Sequence, residues 1–412
     1  MTSRLVIKDG KGALIKLFIC LIIWYIEVLE YKYLRINNLL LVLGVLETLA
    51  VLLDYSSQQK EGFHFFFPNS IKILLAYIFL VMVFGLVVSP NISSHISHGI
   101  TIIEFALIML YILYFGETRG NIDFLIWNYA IMYTFMCFAF LRSPEIYHGT
   151  YGEGIRYSFS PDVNPNGFSM GLTIGCWSLL YLASNKKIPN SLAMALSIIF
   201  AYATIATGSK TGIIGIGICI LMWVVLCYLP LNEKKTAAKT IGRIVLLVLA
   251  GYGIIRFFLP TFYNSLLFAR LTGMARDAST LQRLDMYEKG YEYLKSSPIL
   301  GYGFWGFAYF HHGLYSHSTI VETFVSGGIP LGILYFSSYI DIFRNQIKQS
   351  KTVKYYTDSH RKYVTLVLSR MGIILFVVFL FYTICVIHIY EFASFCEVGI
   401  MAFLYTNKVR ED

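Results

Sequence analysis

Apolar blocks long enough to cross hydrocarbon recur throughout this chain, and nothing else in the sequence constrains its fold as strongly. A helix rises about 1.5 Å per residue, so roughly 20 apolar residues span a bilayer core of about 30 Å. Blocks of that kind lie near residues 13–30, 38–55, 71–89, 98–115, 122–141, 167–184, 190–207, 212–229, 241–259, 318–340, 364–387 and 390–407. They predict an all-α, polytopic membrane bundle of about twelve transmembrane helices. The composition agrees, since 57% of the 412 residues are hydrophobic and only 14% are charged.

Charge then sets the orientation. The first block follows Arg4, Lys8 and Lys11 as a signal peptide would, but no small-residue cleavage site follows, so it reads as a retained anchor. With the N-terminus inside, Lys60, Lys72, Arg119, Lys186, Lys187, Lys234, Lys235, Lys239, Arg243, Arg344, Lys348, Lys351, Lys354, Arg361, Lys362, Lys408 and Arg410 all fall on cytoplasmic segments. Both termini are therefore expected in the cytoplasm, and the net charge of +9 is a topological signal rather than a nucleic-acid footprint. The seven cysteines all lie in apolar segments without paired-ligand spacing, which argues against disulfides and a cysteine metal site.

Residues 1–412 read as a single membrane domain with two long outward loops, 142–166 and 260–317. Long loops in a compact protein are usually functional or disordered. The larger one contains a helical stretch, 279–295, and then a break at Pro298 and Gly301, so partial order is expected. Gly167, Gly171 and Gly175, at four-residue spacing, predict a close approach by another helix. No internal repeat of the transporter kind is evident.

The segment Gly301-Tyr302-Gly303-Phe304-Trp305-Gly306 spells a dinucleotide fingerprint, but that motif has meaning only between a strand and a helix. In an outward loop its glycines are expected to make turns toward the next membrane helix. His311, His312 and His317 lie close together, yet they lack helical-turn spacing and an accompanying thiolate or carboxylate. No metal is expected there, and His317 reads instead as an acid/base group or a polar loop residue, with His311 a secondary candidate. Glu47, Glu104, Arg370, Glu391 and Glu397 are costly inside a membrane and are functional candidates by default. Interhelical pairing explains them equally well, and none is placed in the site on this ground. Arg156, Lys210 and Arg283 sit in polar breaks, where cations at the mouth of a membrane cavity suit a phosphate-bearing ligand.

In chain order these segments resemble the O-antigen ligase and Wzy-type polysaccharide polymerase family. The pieces that carry the resemblance are Arg156-Tyr157 with Asn164-Pro165-Asn166-Gly167, the corner Thr207-Gly208-Ser209-Lys210-Thr211-Gly212, and Arg283 ahead of Ser297-Pro298-Ile299-Leu300-Gly301-Tyr302-Gly303. His317 with Glu322, Gly327, Gly328, Ile329, Pro330, Leu331 and Gly332 completes the series, so the likeness covers roughly 150–335. Two positions depart from the family's commoner pattern: Lys210 stands where arginine is usual, and Ser318 follows His317 where asparagine is frequent.

The resemblance implies transfer of a glycan from undecaprenyl diphosphate to a sugar hydroxyl at the outer face of the cell membrane, without metal or other cofactor. His317 is then the expected base, and Arg156, Lys210 and Arg283 the expected diphosphate ligands, with Glu322 a secondary candidate. A lipid-linked oligosaccharide, the bilayer, a chain-length regulator and a flippase are the expected partners. Polymerase is favoured over ligase only by composition: richness in Ile, Asn, Lys, Phe and Tyr suggests an AT-rich genome, many of which belong to bacteria without an outer membrane. A metal-dependent glycosyltransferase would want paired acids in its first outward loop, where residues 30–38 offer only Glu30. A flippase or transporter would favour short loops and midplane charges.

Overall fold

The computed structural model describes residues 10–29, 39–60, 65, 67–120, 122–147, 156–228, 278–353 and 358–406. The expected span at 241–259, the start of the larger loop at 260–277 and residues 148–155 of the smaller one lie outside the described residues.

Among the described residues the chain is almost wholly helical. Helix α1 (Gly10–Trp24) runs on into a π turn (Tyr25–Leu29), followed by α2 (Leu39–Lys60), α3 (Asn69–Val88), α4 (Ile92–Arg119) and α5 (Asp123–Arg142). Two short antiparallel strands, β1 (Glu145–Ile146) and β2 (Tyr157–Ser158), brace the next connection. Then come α6 (Pro165–Ser184), α7 (Asn190–Thr207) and α8 (Lys210–Trp223), which also ends in a π turn (Val224–Tyr228). The last elements are α9 (Ala278–Ser296), the short α10 (Gly306–Phe310), α11 (Thr319–Thr352), α12 (Ser359–Thr383) and α13 (Phe392–Thr406). Eight of these helical stretches are long and apolar enough to cross a bilayer, and the protein is an all-α, multi-pass membrane protein.

Burial tells which faces meet lipid. Helix α6 is buried on almost every side and packs against α5, α7 and α8, as a central helix must. The peripheral helices instead expose large apolar side chains such as Leu53, Phe79, Val87, Leu221, Ile333 and Ile340, a pattern costly in water and natural in hydrocarbon. Polar side chains tie the bundle together internally. Trp177 Nε1 donates to the Met371 carbonyl at 2.9 Å, Trp223 Nε1 to Ser184 Oγ at 2.8 Å, and Tyr382 OH to Thr173 Oγ1 at 2.7 Å. Of the three spaced glycines, Gly171 and Gly175 are where α5 closes in, against Tyr133, whereas Gly167 has open space before it. Glu47, for which interhelical pairing is the alternative to a functional role, is fully buried, and neither carboxylate oxygen has a hydrogen-bond partner.

Helix α11 is broken at Gly328, where the backbone turns to φ 69° and ψ −177°. An unbroken helix would bond the Ile329 N–H to the Val325 carbonyl, and Pro330 has no N–H to offer Ser326. The loop segment 298–303 takes over these groups. Tyr302 N–H donates to Val325 O and Gly303 N–H to Ser326 O, each at 2.9 Å, while Ile329 N–H reaches Pro298 O at 2.7 Å. These three backbone groups at the break are thus satisfied by protein, as a membrane-embedded break requires. The fingerprint glycines serve this docking, as turns toward the next membrane helix, and Gly301 lies so close to α11 that a Cβ there would sit 2.5 Å from Ser326 O.

Candidate functional site

A cavity of about 400 Å³ opens where the N-termini of α6 and α13, the loop before α11 and the segment after α12 come together. Arg283, His317, Asn164, Asn166 and Gly167 are among its lining residues. Two pieces of sequence more than a hundred residues apart thereby meet in one space.

The His317 loop is rigidly held. Its backbone is left-handed at φ 54°, a conformation uncommon outside glycine but tolerated by histidine better than by most residues. Ser318 is the residue before α11, Ser316 N–H donates to Glu322 Oε1 at 2.8 Å, and Ser316 Oγ donates to the Ser318 carbonyl at 3.1 Å. Thr319 N–H bonds the Val386 carbonyl at 2.9 Å, and Thr319 Oγ1 accepts His388 N–H at 2.9 Å. This pair of bonds fastens the segment after α12 to the start of α11, which brings Val386 and Ile387 to the same cavity as His317. Glu322 is fully buried and is not among the lining residues, so its visible task is to hold the loop that carries His317. Tyr315 packs edge-on against the His317 ring, with centroids 4.7 Å apart.

Arg283 comes from α9, a helix of polar character that lies beside α11 and is tethered to the end of α12 by Tyr287 OH donating to the Ile384 carbonyl at 2.8 Å. His317 lies in a loop outside the spanning helices. Burial, and secondarily the positive charge of Arg283, lowers its pKa to about 4, so at neutral pH the imidazole is uncharged and free to accept a proton.

The other two sequence-predicted cations stand differently. Arg156 is buried; its Nη2 donates to Asn166 Oδ1 at 3.0 Å and its Nε to the Thr207 carbonyl at 3.4 Å. It orients a lining residue and does not itself line the cavity. Asn164 caps α6, accepting Asn166 N–H at 2.9 Å, so the positive end of a long helix faces the space. Lys210 is half-buried at the first position of α8 and is not among the lining residues. A cation there opposes the helix dipole at a cost of about 0.3–1 kcal/mol. His311 packs beside Phe307 at 5.3 Å and is not on the cavity wall.

Sequence reasoning missed the acidic part of the wall. Glu391 and Glu397, recognised as costly but left outside the site, both line the cavity together with Glu27, which had no distinguishing motif. Only tertiary packing joins the end of α1 to the start of α13. The lock at Thr319 also had no local signal, because its partners lie some seventy residues away. Among the described residues no group of three or more His, Cys, Asp or Glu converges to hold a metal ion.

Residues 195–336 match the family described as O-antigen ligase, from within α7 to beyond the break in α11. No curated protein matches the chain. Members of that family are glycosyltransferase-like enzymes, ligases and polymerases. The matched stretch, about a third of this multi-pass membrane chain, contains Lys210, Arg283, His311, His317, Glu322 and both halves of the docked break, so the likeness to the O-antigen ligase family takes in most of the residues named above.

Proposed function

We propose that the protein is a polysaccharide polymerase that transfers a glycan from undecaprenyl diphosphate to a sugar hydroxyl of a second lipid-linked repeat unit, at the outer face of the cytoplasmic membrane. The observation that carries this reading is the meeting of Arg283, His317 and the N-terminus of α6 around one cavity. The acceptor oxygen attacks the anomeric carbon, its proton passes to the neutral imidazole of His317, and the bond to the diphosphate oxygen breaks. Undecaprenyl diphosphate leaves with the electron pair, its growing negative charge met by Arg283 and the α6 N-terminus. Diphosphate is a competent leaving group, so charge stabilisation and a positioned base supply the chemistry the protein must add.

Binding of the donor also strengthens the base. A diphosphate beside Arg283 offsets the charge that helps hold His317 near 4, so its proton affinity rises once the donor is seated. Arg156 keeps Asn166 in place for the same ligand, and Lys210 contributes long-range positive charge. A chain-length regulator and a flippase that delivers the lipid-linked unit are the partners this activity needs.

Deleting the gene tests the assignment. A polymerase deletion leaves single repeat units on the carrier and removes the long-chain ladder. Accumulation of long polymer on the carrier would instead establish a ligase, the activity for which the matched family is named. Purified protein that moves lipid-linked units across vesicles but joins none would make it a flippase.

A further inference from the structure

The cavity wall carries acidic side chains as well as a cation. Glu27, Glu391 and Glu397 share it with Arg283 and His317, and Glu27 lies near enough for its charge to reach both other acids. Glu397 is 5% exposed, and its Oε2 has no hydrogen-bond partner. Glu27 has one long bond, accepting Tyr133 OH at 3.4 Å, and Glu391 is exposed into the cavity. Among the described residues none of the three forms an ion pair.

Carboxylates in this position are expensive, because a membrane interior gives them no water and like charges repel. They would also repel a diphosphate, so they do not belong to the donor's charged end. What they lack is hydrogen-bond donors, and a sugar ring presents several. We propose that Glu27, Glu391 and Glu397 form the acceptor-sugar subsite of this cavity, accepting hydrogen bonds from ring hydroxyls that flank the attacking one. The inference rests on the cavity being the transfer site. It adds an orientation rule: the diphosphate lies toward Arg283, the acceptor ring lies against the acids, and the attacking hydroxyl is left facing His317.

The test uses full-length protein in nanodiscs, lipid-linked repeat units extracted from a strain deleted for the gene as donor, and the same repeat unit on a plain alkyl chain as acceptor, which cannot itself donate. Variants E27Q, E391Q and E397Q keep side-chain shape and remove the charge. KM for the alkyl-linked acceptor should rise at least tenfold, while the inhibition constant of undecaprenyl diphosphate stays within twofold. Unchanged acceptor KM, or an equal rise in both constants, would overturn the subsite. E391Q keeps the test open should E397Q fail to fold, since Glu391 is exposed to the cavity rather than packed. Wild-type protein that transfers nothing would sink the polymerase reading, whereas an active wild type with unaffected variants sinks this inference alone.

Discussion

His317 combines features that are seldom found together by accident: a left-handed backbone, a serine on either side bonded to the other, and a half-buried ring facing a cavity shared with a guanidinium. Loss of the proposed base in His317→Ala should lower transfer by about 10²- to 10⁴-fold while leaving expression and thermal stability near wild type. Full activity in that variant would remove the role. The pH profile carries the sign. The free enzyme's base is available above about pH 4, so the acid limb of kcat/KM should lie there, and the limb of kcat should lie higher because the donor offsets Arg283. Arg283→Ala should move the kcat/KM limb upward. Burial is the larger cause of the lowered value, so the limb should stop short of the ordinary histidine range. For Lys210 the expectation is long-range charge without bidentate geometry: Lys210→Arg stays active and Lys210→Ala is impaired, and equal activity in both would exclude it from binding.

Among the elements, α11 is the one whose irregularity does the positioning. Its break at Gly328 and the docked 298–303 segment are two halves of one hydrogen-bonded unit, so each half should fail with the other. Gly301→Ala and Gly328→Ala each force a side chain onto a left-handed backbone, at φ 66° and 69°, costing about 1–3 kcal/mol before any clash. In both cases the added Cβ would meet opposing backbone, so little relief is available. Both variants should lower the melting temperature and weaken transfer together. Pro330→Ala should do neither, since the break lies at the preceding glycine and Ser326 O already has Gly303 N–H as its partner. A stable, active Gly328→Ala would show that the break is incidental.

For the whole molecule, the proposed transfer requires the cavity to open on the outer side, from which a lipid-linked glycan would be supplied. Single cysteines at Glu288 on α9 and at Lys348 near the far end of α11, both exposed, should behave oppositely in a background without the seven native cysteines. The first should react with an impermeant thiol reagent on intact cells and the second only after lysis. The reverse pattern would invert the topology and remove the outward site with it.

Much of this architecture was legible in the sequence because bilayer crossing is a local demand: each helix must satisfy its own backbone and carry its own apolar length. That is why the blocks at 167–184, 190–207 and 364–387 coincide with α6, α7 and α12, and why the helical stretch 279–295 reappears as α9. Arg283 and His317 stood out in the sequence as an outward cation and a loop histidine, and both line the cavity, although Arg283 lies on helix α9 and not in the polar break expected of it. Three things were settled only by tertiary structure. Arg156 turned inward to hold Asn166, Glu322 turned back to brace the His317 loop, and Glu27 met Glu391 and Glu397 from the far end of the chain. The physical reason is common to all three. The type of a residue states what it can bond to, but which partner it finds depends on helix ends that are distant in sequence and adjacent only once the bundle has packed.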